Sequence, residues 1–527
     1  MTGNFNLACD VHRRATESAD APAVVYRDIA LSYGELAARA GRLAACLHAA
    51  WGERDDGAAP LRVGILASRS AGACVAALGA CWAGAAYVPF GLKQPEERLL
   101  DMLAQCRLSA LIVDDDGLKL LGERVLAACP RLIVHAGDAA AVPADSRPGI
   151  IELMSLPPAP LPAPAAVAAG DIAYIIFTSG STGTPKGVMV SAGAFRHYLK
   201  AVGATLGMTA DDRVLGVSEL SFDVSAHNMF ATWEAGAALH VLPASATMNA
   251  VKFARMAGLT VWNSAPSLAI MLRQVKALTP GCLPDLRVTA FGGEQLPAST
   301  VAAWREAATG SAVFNVYGPT EATVGCLAQK LDEPLPLTPG RDVLAIGTPF
   351  PGSEARVAGS DGQPLPDGVP GELLIAGEQL AAGYLDAPEL TAARFPVIGG
   401  KRWYRTGDLA LRDRGGRFHC LGRIDNQVKI LGYRIELDDI DAHLRVASGV
   451  DLVSAVAWPL VQGAAHGIVA FVGAAAIDLK QVIGALKARI PSYMMPSRVI
   501  AMQELPLNAS GKVDRQALRQ LLADEIT

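Results

Sequence analysis

The chain has 527 residues, 51% of them apolar, with 46 basic against 51 acidic side chains and a net charge of −5. That is too long for one compact domain at about 150 residues each and too apolar for a disordered chain. The charge balance excludes a general electrostatic nucleic-acid binder, which needs excess positive charge to neutralise phosphates.

The N-terminus, MTGNFNLACDVHRR, has no basic start followed by an apolar core, so no signal peptide is expected. Short apolar runs then alternate with Ala- and Leu-rich amphipathic stretches. Strands are expected at 21–26, 61–67, 110–115 and 131–136, and helices at 31–50 and 69–84. This alternation argues for α/β layers with largely parallel sheets. The uncharged run between Arg69 and Lys93 is long enough to raise the question of a membrane span. Gly72, Gly79, Gly84, Pro89 and Gly91 interrupt it, so it reads as a buried helix followed by the strand AAYVPF. The nine cysteines form no Cys-x-x-Cys pair and no zinc-spaced cluster with histidine. A cytoplasmic protein with reduced thiols and no membrane association is expected.

Residues 156–170 have the Pro/Ala composition of a linker but run straight into IAYIIFTSG without a charge shift. They read as a stiff surface connection inside a larger domain. That strand opens onto Thr178-Ser179-Gly180-Ser181-Thr182-Gly183-Thr184-Pro185-Lys186-Gly187. The glycines let backbone amides approach an anion, the hydroxyls can donate to phosphate oxygens, and Lys186 adds a positive charge. A nucleotide triphosphate is the natural guest. The loop is not of the Walker type, which needs Gly-Lys followed by Ser or Thr and a helix. Here Gly187 and the strand-like VMV follow the lysine. Further along, GELLIAG and KRWYRTGDLALRDRGGRFHCLG are rich in strands and turns. After GRIDNQVKILGYRIEL come a helix at 437–447, strands at 451–460 and 467–473, and a helix at 478–490. A tail of about a hundred residues is long enough for a small α/β domain.

Eight segments stand in a fixed order: WAGAAYVPF, TSGSTGTPKG, FDVS, NVYGPTEAT, GELLIAG, YRTGDL, GRIDNQVKILGYRIEL and LPLNASGK. From Leu31 to Arg515 the chain resembles the adenylate-forming enzymes. More narrowly, it is similar to the amino-acid adenylation domains of nonribosomal peptide synthesis and their stand-alone relatives, D-alanine–carrier-protein ligases included. The resemblance implies an α/β fold with a large N-terminal domain of layered sheets and helices over 1–424. A small mobile C-terminal α/β domain is expected over 425–527, hinged at Asp425.

Activating a carboxylic acid requires the carboxylate to attack the α-phosphorus of ATP while pyrophosphate leaves. Both partners are anions, so the protein must cancel charge, hold the line of attack and supply a metal. The resemblance implies that Thr178, Ser179, Gly180, Ser181, Thr182, Gly183 and Lys186 face the phosphates. It places Tyr317 against adenine, with Asn315 and Gly318 in the same nucleotide-binding segment. Thr320 is expected at the α-phosphate, Glu321 on Mg²⁺, and Asp408 and Arg423 on the ribose. From residue types alone, Gly-Pro-Thr-Glu also fits a helix cap, and Gly407-Asp408 a turn after a strand. Lys512 lies in a flexible NASGK loop and is expected to bridge the substrate carboxylate and the nucleotide. Thr182, Glu321 and Lys512 form the expected catalytic set.

The family then transfers the acyl group to a thiol, with Lys512 withdrawn and the small domain rotated about Asp425. Gly432 would leave room for a pantetheine arm. About fifteen residues follow Lys512 and none carries a carrier segment, so a phosphopantetheinylated carrier protein acting in trans is expected. Asp223 is implied to pair with a substrate α-ammonium, which favours an amino acid over the alternative, an acyl- or aryl-CoA ligase. The rest of the implied substrate pocket is Val224, His227, Asn263, Ala290, Gly292, Val316, Val324 and Gly325, closed by Lys512. Nothing in it would compensate a charged side chain, and His227 and Asn263 can hydrogen-bond a hydroxyl or amide, so a small or medium, uncharged and polar α-amino acid is expected, with alanine and the stereochemistry left open. His227 either hydrogen-bonds that substrate or is a satisfied core histidine.

Overall fold

A computed structural model describes residues 3–52, 61–137, 149–157, 160–180, 184–461, 464–474, 477–507 and 513–524. The chain divides into two compact units. The first comprises 1–92, 103–176 and 187–421, and the second comprises 93–102, 177–186 and 422–527.

Ser32 opens the first long helix, Tyr33–Trp51, with a capping box in which its hydroxyl accepts from Glu35 N while Glu35 returns a carboxylate to Ser32 N. The uncharged run resolves as expected. Helix Ala71–Trp82 is buried along its whole length, and strand Ala86–Phe90 follows it. Around them an eight-stranded sheet forms, parallel from Ala86–Phe90 through Ile150–Glu152. The Pro/Ala segment is fastened at both ends to its neighbours: Leu161 N donates to Gly41 O, and Ala165 N to Trp82 O.

A nine-stranded sheet matters most for function. Its order is Thr348–Pro349, Leu327–Lys330, Ala312–Tyr317, Val288–Gly292, Val261–Ser264, Arg213–Gly216, Ala238–Val241, Pro22–Tyr26, Ile29–Ser32. The six inner strands are parallel and the flanking ones antiparallel. Asn263 pairs in register with Ala290, and Gly292 with Val316. Side chains alternate between faces along a strand, so these four share one face at the carboxyl ends of the parallel strands. Open α/β sheets bind ligands at that end. The intervening residues Trp262 and Phe291 point the other way and pack on Trp304, with ring centroids 4.9 and 5.1 Å apart. Trp304 Nε1 donates to Thr289 Oγ1 at 2.9 Å. A four-stranded sheet of Ser353–Ala358, Gly371–Gly377, Tyr404–Arg412 and Phe418–Arg423 completes this part.

The second unit holds the hairpin Gln427–Ile430/Tyr433–Glu436 and a three-stranded sheet of Val453–Ala457, Ile468–Gly473 and Arg498–Met502. Helices Leu437–Ser448 and Leu479–Lys487 pack on it through Ile440, Leu444 and Leu486. Two short segments from earlier in the chain belong to this unit, and each has polar ties to it. Arg98 forms a buried ion pair with Asp439 at 3.1 Å, and Ser179 Oγ donates to Arg434 O at 2.9 Å. Composition gives no sign of such ties.

All nine cysteines are free. Among the described residues no helix is long and apolar enough to cross a membrane. Trp304 backs the strands that carry the candidate site, so Trp304→Ala is expected to cost about 3–5 kcal/mol in denaturant unfolding. A loss below about 1 kcal/mol would show that the sheet does not rest on this side chain.

Candidate active site

Asp223 is the first residue of a single helical turn, Asp223–Ala226, and is buried. Burial pushes its carboxyl up to about 6. A hydrogen bond from Thr320 and the backbone N–H groups of Val224 and Val324 act in the opposite direction, while the charge of Glu321 adds to the rise. Three buried phenols, Tyr87, Tyr174 and Tyr198, are pushed well up, chiefly by burial, with Asp223 adding to the rise in each and Cys81 ahead of it at Tyr87. The carboxylate therefore has hydrogen-bond donors but no cation among the groups that set its titration. An acid so placed is suited to receive one.

The loop that aims Val324 N at Asp223 is strained. Thr323 and Val324 have φ of 57° and 64°, a region that β-branched residues rarely occupy. Gln379, fully buried, holds it there. Its Nε2 donates to Ala322 O at 3.0 Å and Gly325 O at 3.2 Å, its own backbone carbonyl accepts from Thr323 Oγ1, and Ser353 Oγ donates to Oε1 at 2.6 Å. Gly318 permits this close approach, because a Cβ there would lie 2.5 Å from Val324 O and from Gly325 Cα. The sequence reading missed Gln379, which lies just past GELLIAG with no distinguishing pattern.

The expected pocket residues come together. Asn263, Ala290, Gly292 and Val316 share the sheet face described above. A Cβ on Gly325 would stand 2.8 Å from Val316 Cγ1, 3.5 Å from Phe350 and 3.6 Å from Tyr198. His227 begins a π-helical turn, His227–Ala231, directly after the turn carrying Asp223 and Val224. Burial lowers His227 to about 4, so its ring is neutral at physiological pH.

In the nucleotide segment, Tyr317 OH donates to Asp408 Oδ2, and both residues are buried. Thr320 and Glu321 sit on a 3₁₀ turn just after that strand. Thr320 is bonded to Asp223, and Tyr384 OH donates to Glu321 Oε1 at 2.8 Å. Asn315 turns to the opposite face of the sheet, where its amide donates to Ala345 O at 2.8 Å. Asp408 lies within the strand Tyr404–Arg412, next to a register shift against Gly371–Gly377, rather than on a turn after a strand. Among the described residues no group of three His, Cys, Asp or Glu could hold a metal by itself. Mg²⁺ takes one or two carboxylates plus phosphate oxygens and water, so the buried carboxylate of Glu321 fits that ion only together with ligands from outside the protein.

The other expected residues belong to the second unit. Thr178, Ser179, Gly180 and Lys186 flank the glycine-rich loop; Ser179 Oγ accepts from Glu436 N at 3.3 Å, and Lys186 Nζ stands 3.9 Å from Glu436 Oε1. Arg423 grips Asp425 bidentately at 2.8 and 2.6 Å. Burial would raise Asp425, but the hydrogen bond and charge of Arg423 leave it below the usual carboxylate range. Gly432 has φ of 83° and follows Leu431 at 52°, between the paired residues Ile430 and Tyr433. Two left-handed residues in a two-residue hairpin loop make a type I′ turn, so the backbone requires glycine there whether or not anything passes it. Ser181, Thr182, Gly183 and Lys512 lie outside the described residues.

The model of the family described as "AMP-binding enzyme" matches residues 11–385. The chain belongs to the AMP-binding enzymes. Surfactin synthase subunit 1 of Bacillus subtilis (strain 168) is 35% identical over 96% of this chain, which spans only 13% of that protein. Novobiocin biosynthesis protein H of Streptomyces niveus is 34% identical, with 98% of this chain and 83% of that one covered. The crystal structure of the Vibrio cholerae adenylation domain AlmE in complex with glycyl-adenosine-5'-phosphate superposes with a TM-score of 0.87. It is 29% identical, and 99% of both chains are covered.

The Asp223 titration has a readable consequence. Burial raises the Asp223 carboxyl from the ordinary carboxylate value to about 6. Its protonated form therefore stabilises the fold below the unfolded value, and that contribution is lost as pH rises through about 6. Recognition of a cation runs the other way and needs the ionised form. For an amino-acid substrate, whose ammonium stays charged throughout, kcat/KM is expected to fall about tenfold per unit below pH 6. Asp223→Asn should abolish that limb in exchange assays run across about pH 4.5 to 8.

Proposed function

We propose that this AMP-binding enzyme activates an α-amino acid with ATP and then transfers it to the phosphopantetheine thiol of a separate carrier protein. In the first step a carboxylate oxygen of the substrate bonds to the α-phosphorus. The bond from that phosphorus to the bridging oxygen breaks, and pyrophosphate leaves with the electron pair. In the second step the thiol sulfur attacks the acyl carbon, AMP departs, and the thiol proton passes to solvent.

One observation carries the reading: Asp223 is a buried carboxylate with donors around it and, among the described residues, no cation setting its titration, beside a pocket of neutral side chains. The α-ammonium of an amino acid supplies the missing charge. The complex recorded for AlmE, an aminoacyl adenylate held by a chain of the same fold, supports it. The neutral pocket supports a small or medium uncharged side chain. The dependence on ATP supports a cytoplasmic location.

The remaining roles follow from charge. Tyr317 would offer its ring to adenine while its hydroxyl orients Asp408 toward the ribose, with Arg423 as the second ribose contact. The loop from Thr178 to Gly183, with Lys186, would hold the phosphates, and Thr320 would donate to the α-phosphate by turning its one hydroxyl proton away from Asp223, whose charge the ammonium then meets. Glu321 would hold Mg²⁺, which when bound screens the charge on the phosphate oxygens. Lys512 would bridge the two anionic reactants and then withdraw as the C-terminal part turns about Asp425, with the thiol passing Gly432.

The test is ATP–pyrophosphate exchange over a panel of amino acids and a panel of fatty and aromatic acids. Exchange confined to amino acids is expected. Exchange confined to fatty or aromatic acids would overturn the proposal in favour of acyl- or aryl-CoA ligation.

A further inference from the structure

His227 and Asn263 belong to a longer polar chain. Tyr198 OH lies 2.8 Å from His227 Nδ1. Asn263 Nδ2 lies 3.1 Å from His227 Nε2 and 3.4 Å from Asn228 Oδ1. All four side chains are at most 5% exposed. The neutral imidazole carries one N–H, so the whole chain is uncharged. Two of its atoms have no partner, Asn263 Oδ1 and Asn228 Nδ2.

The oxygen and nitrogen of an Asn amide can exchange places without changing its shape. If Asn263 is turned so that its oxygen accepts from His227 Nε2–H, Asn228 must turn with it. The leftover atoms then become Asn263 Nδ2 and Asn228 Oδ1. In either arrangement one acceptor and one donor remain unmet among the described residues, which is costly for buried polar groups. The chain borders the other expected pocket residues. Asn263 shares its sheet face with Ala290 and Gly292, and Tyr198 stands 3.6 Å from where a Cβ on Gly325 would lie. The π-helical turn that seats His227 and Asn228 is a rare form, found mostly at functional sites.

We propose that Tyr198 and Asn228 complete the specificity pocket and that the activated amino acid carries an uncharged hydrogen-bonding side chain, a hydroxyl or a carboxamide. Such a group brings both an acceptor and a donor. A hydrocarbon side chain leaves the two amide atoms unmet, and a charged one finds no countercharge in this chain. Tyr198 acts as a positioning residue by fixing the histidine ring, while Asn228 both fixes the Asn263 amide and offers its own unmet amide atom to the side chain. The inference rests on the amino-acid reading of the site.

Pyrophosphate exchange with matched pairs tests it: serine against alanine, threonine against valine, asparagine against leucine, glutamine against methionine. The best polar acid should exceed its apolar partner by about tenfold or more in kcat/KM. In Asn228→Ala and in Tyr198→Phe that ratio should fall toward unity, with the loss appearing in KM for the polar acid. Asn228→Ser, which keeps a donor and an acceptor, should recover part of it. Thermal unfolding of each variant separates this from a folding defect, and Tyr198→Phe removes a single atom should Asn228→Ala fold poorly. Preference for the apolar partner, or a ratio unmoved by Tyr198→Phe and Asn228→Ser, overturns the pocket assignment alone. Exchange with no amino acid overturns the broader reading and this one with it.

Discussion

A buried carboxylate with no countercharge among the described residues is the constraint on which the candidate site is built. Ionised Asp223 is tolerable only because the hydroxyl of Thr320 and the amides of Val224 and Val324 point at it, and even so its proton is held to about 6. The Val324 amide reaches it through a strained backbone that Gln379 clamps from behind. Strain of this kind persists only where surrounding contacts over-determine it. The fold thus spends local stability to hold a buried carboxylate, an arrangement that the α-ammonium of the proposed substrate would complete.

The sheet supplies the rest of the pocket by simple alternation. Because the inner strands are parallel and in register, residues two apart on one strand and level on the next line a single face. Asn263, Ala290, Gly292 and Val316 meet that way, while Trp262 and Phe291 lock the opposite face against Trp304. One strand can therefore carry both a rigid support and a substrate contact. Gly292 and Gly325 carry no side chain where a Cβ would stand, respectively, 3.0 Å from Val316 O and 2.8 Å from Val316 Cγ1.

Much of this was legible in the sequence. Apolar alternation and glycine punctuation marked the α/β layers and resolved the long uncharged run into helix and strand. The ordered motifs led to the AMP-binding family and to Asp223. What stayed hidden are pairings between distant positions. Tyr198 looks like one more apolar-face residue of the helix Ala192–Leu206, and nothing local links it to His227. Gln379 has no motif of its own, and Asn228 is masked by the adjacent His227. Gly432 had a backbone reason, a left-handed turn, that shows only when its strand partners are known. Asp408 proved to lie on an irregular strand because a register shift is set by the neighbouring strand, not by Gly-Asp.

The central claim, that Asp223 meets an α-ammonium, is tested most directly by pyrophosphate exchange with the preferred amino acid and with the same acid lacking its amino group. Both should be assayed on the native enzyme and on Asp223→Asn. The account predicts that the native enzyme favours the amino form by about 30-fold or more and that the variant loses the preference. Equal exchange of the two acids by the native enzyme would contradict it.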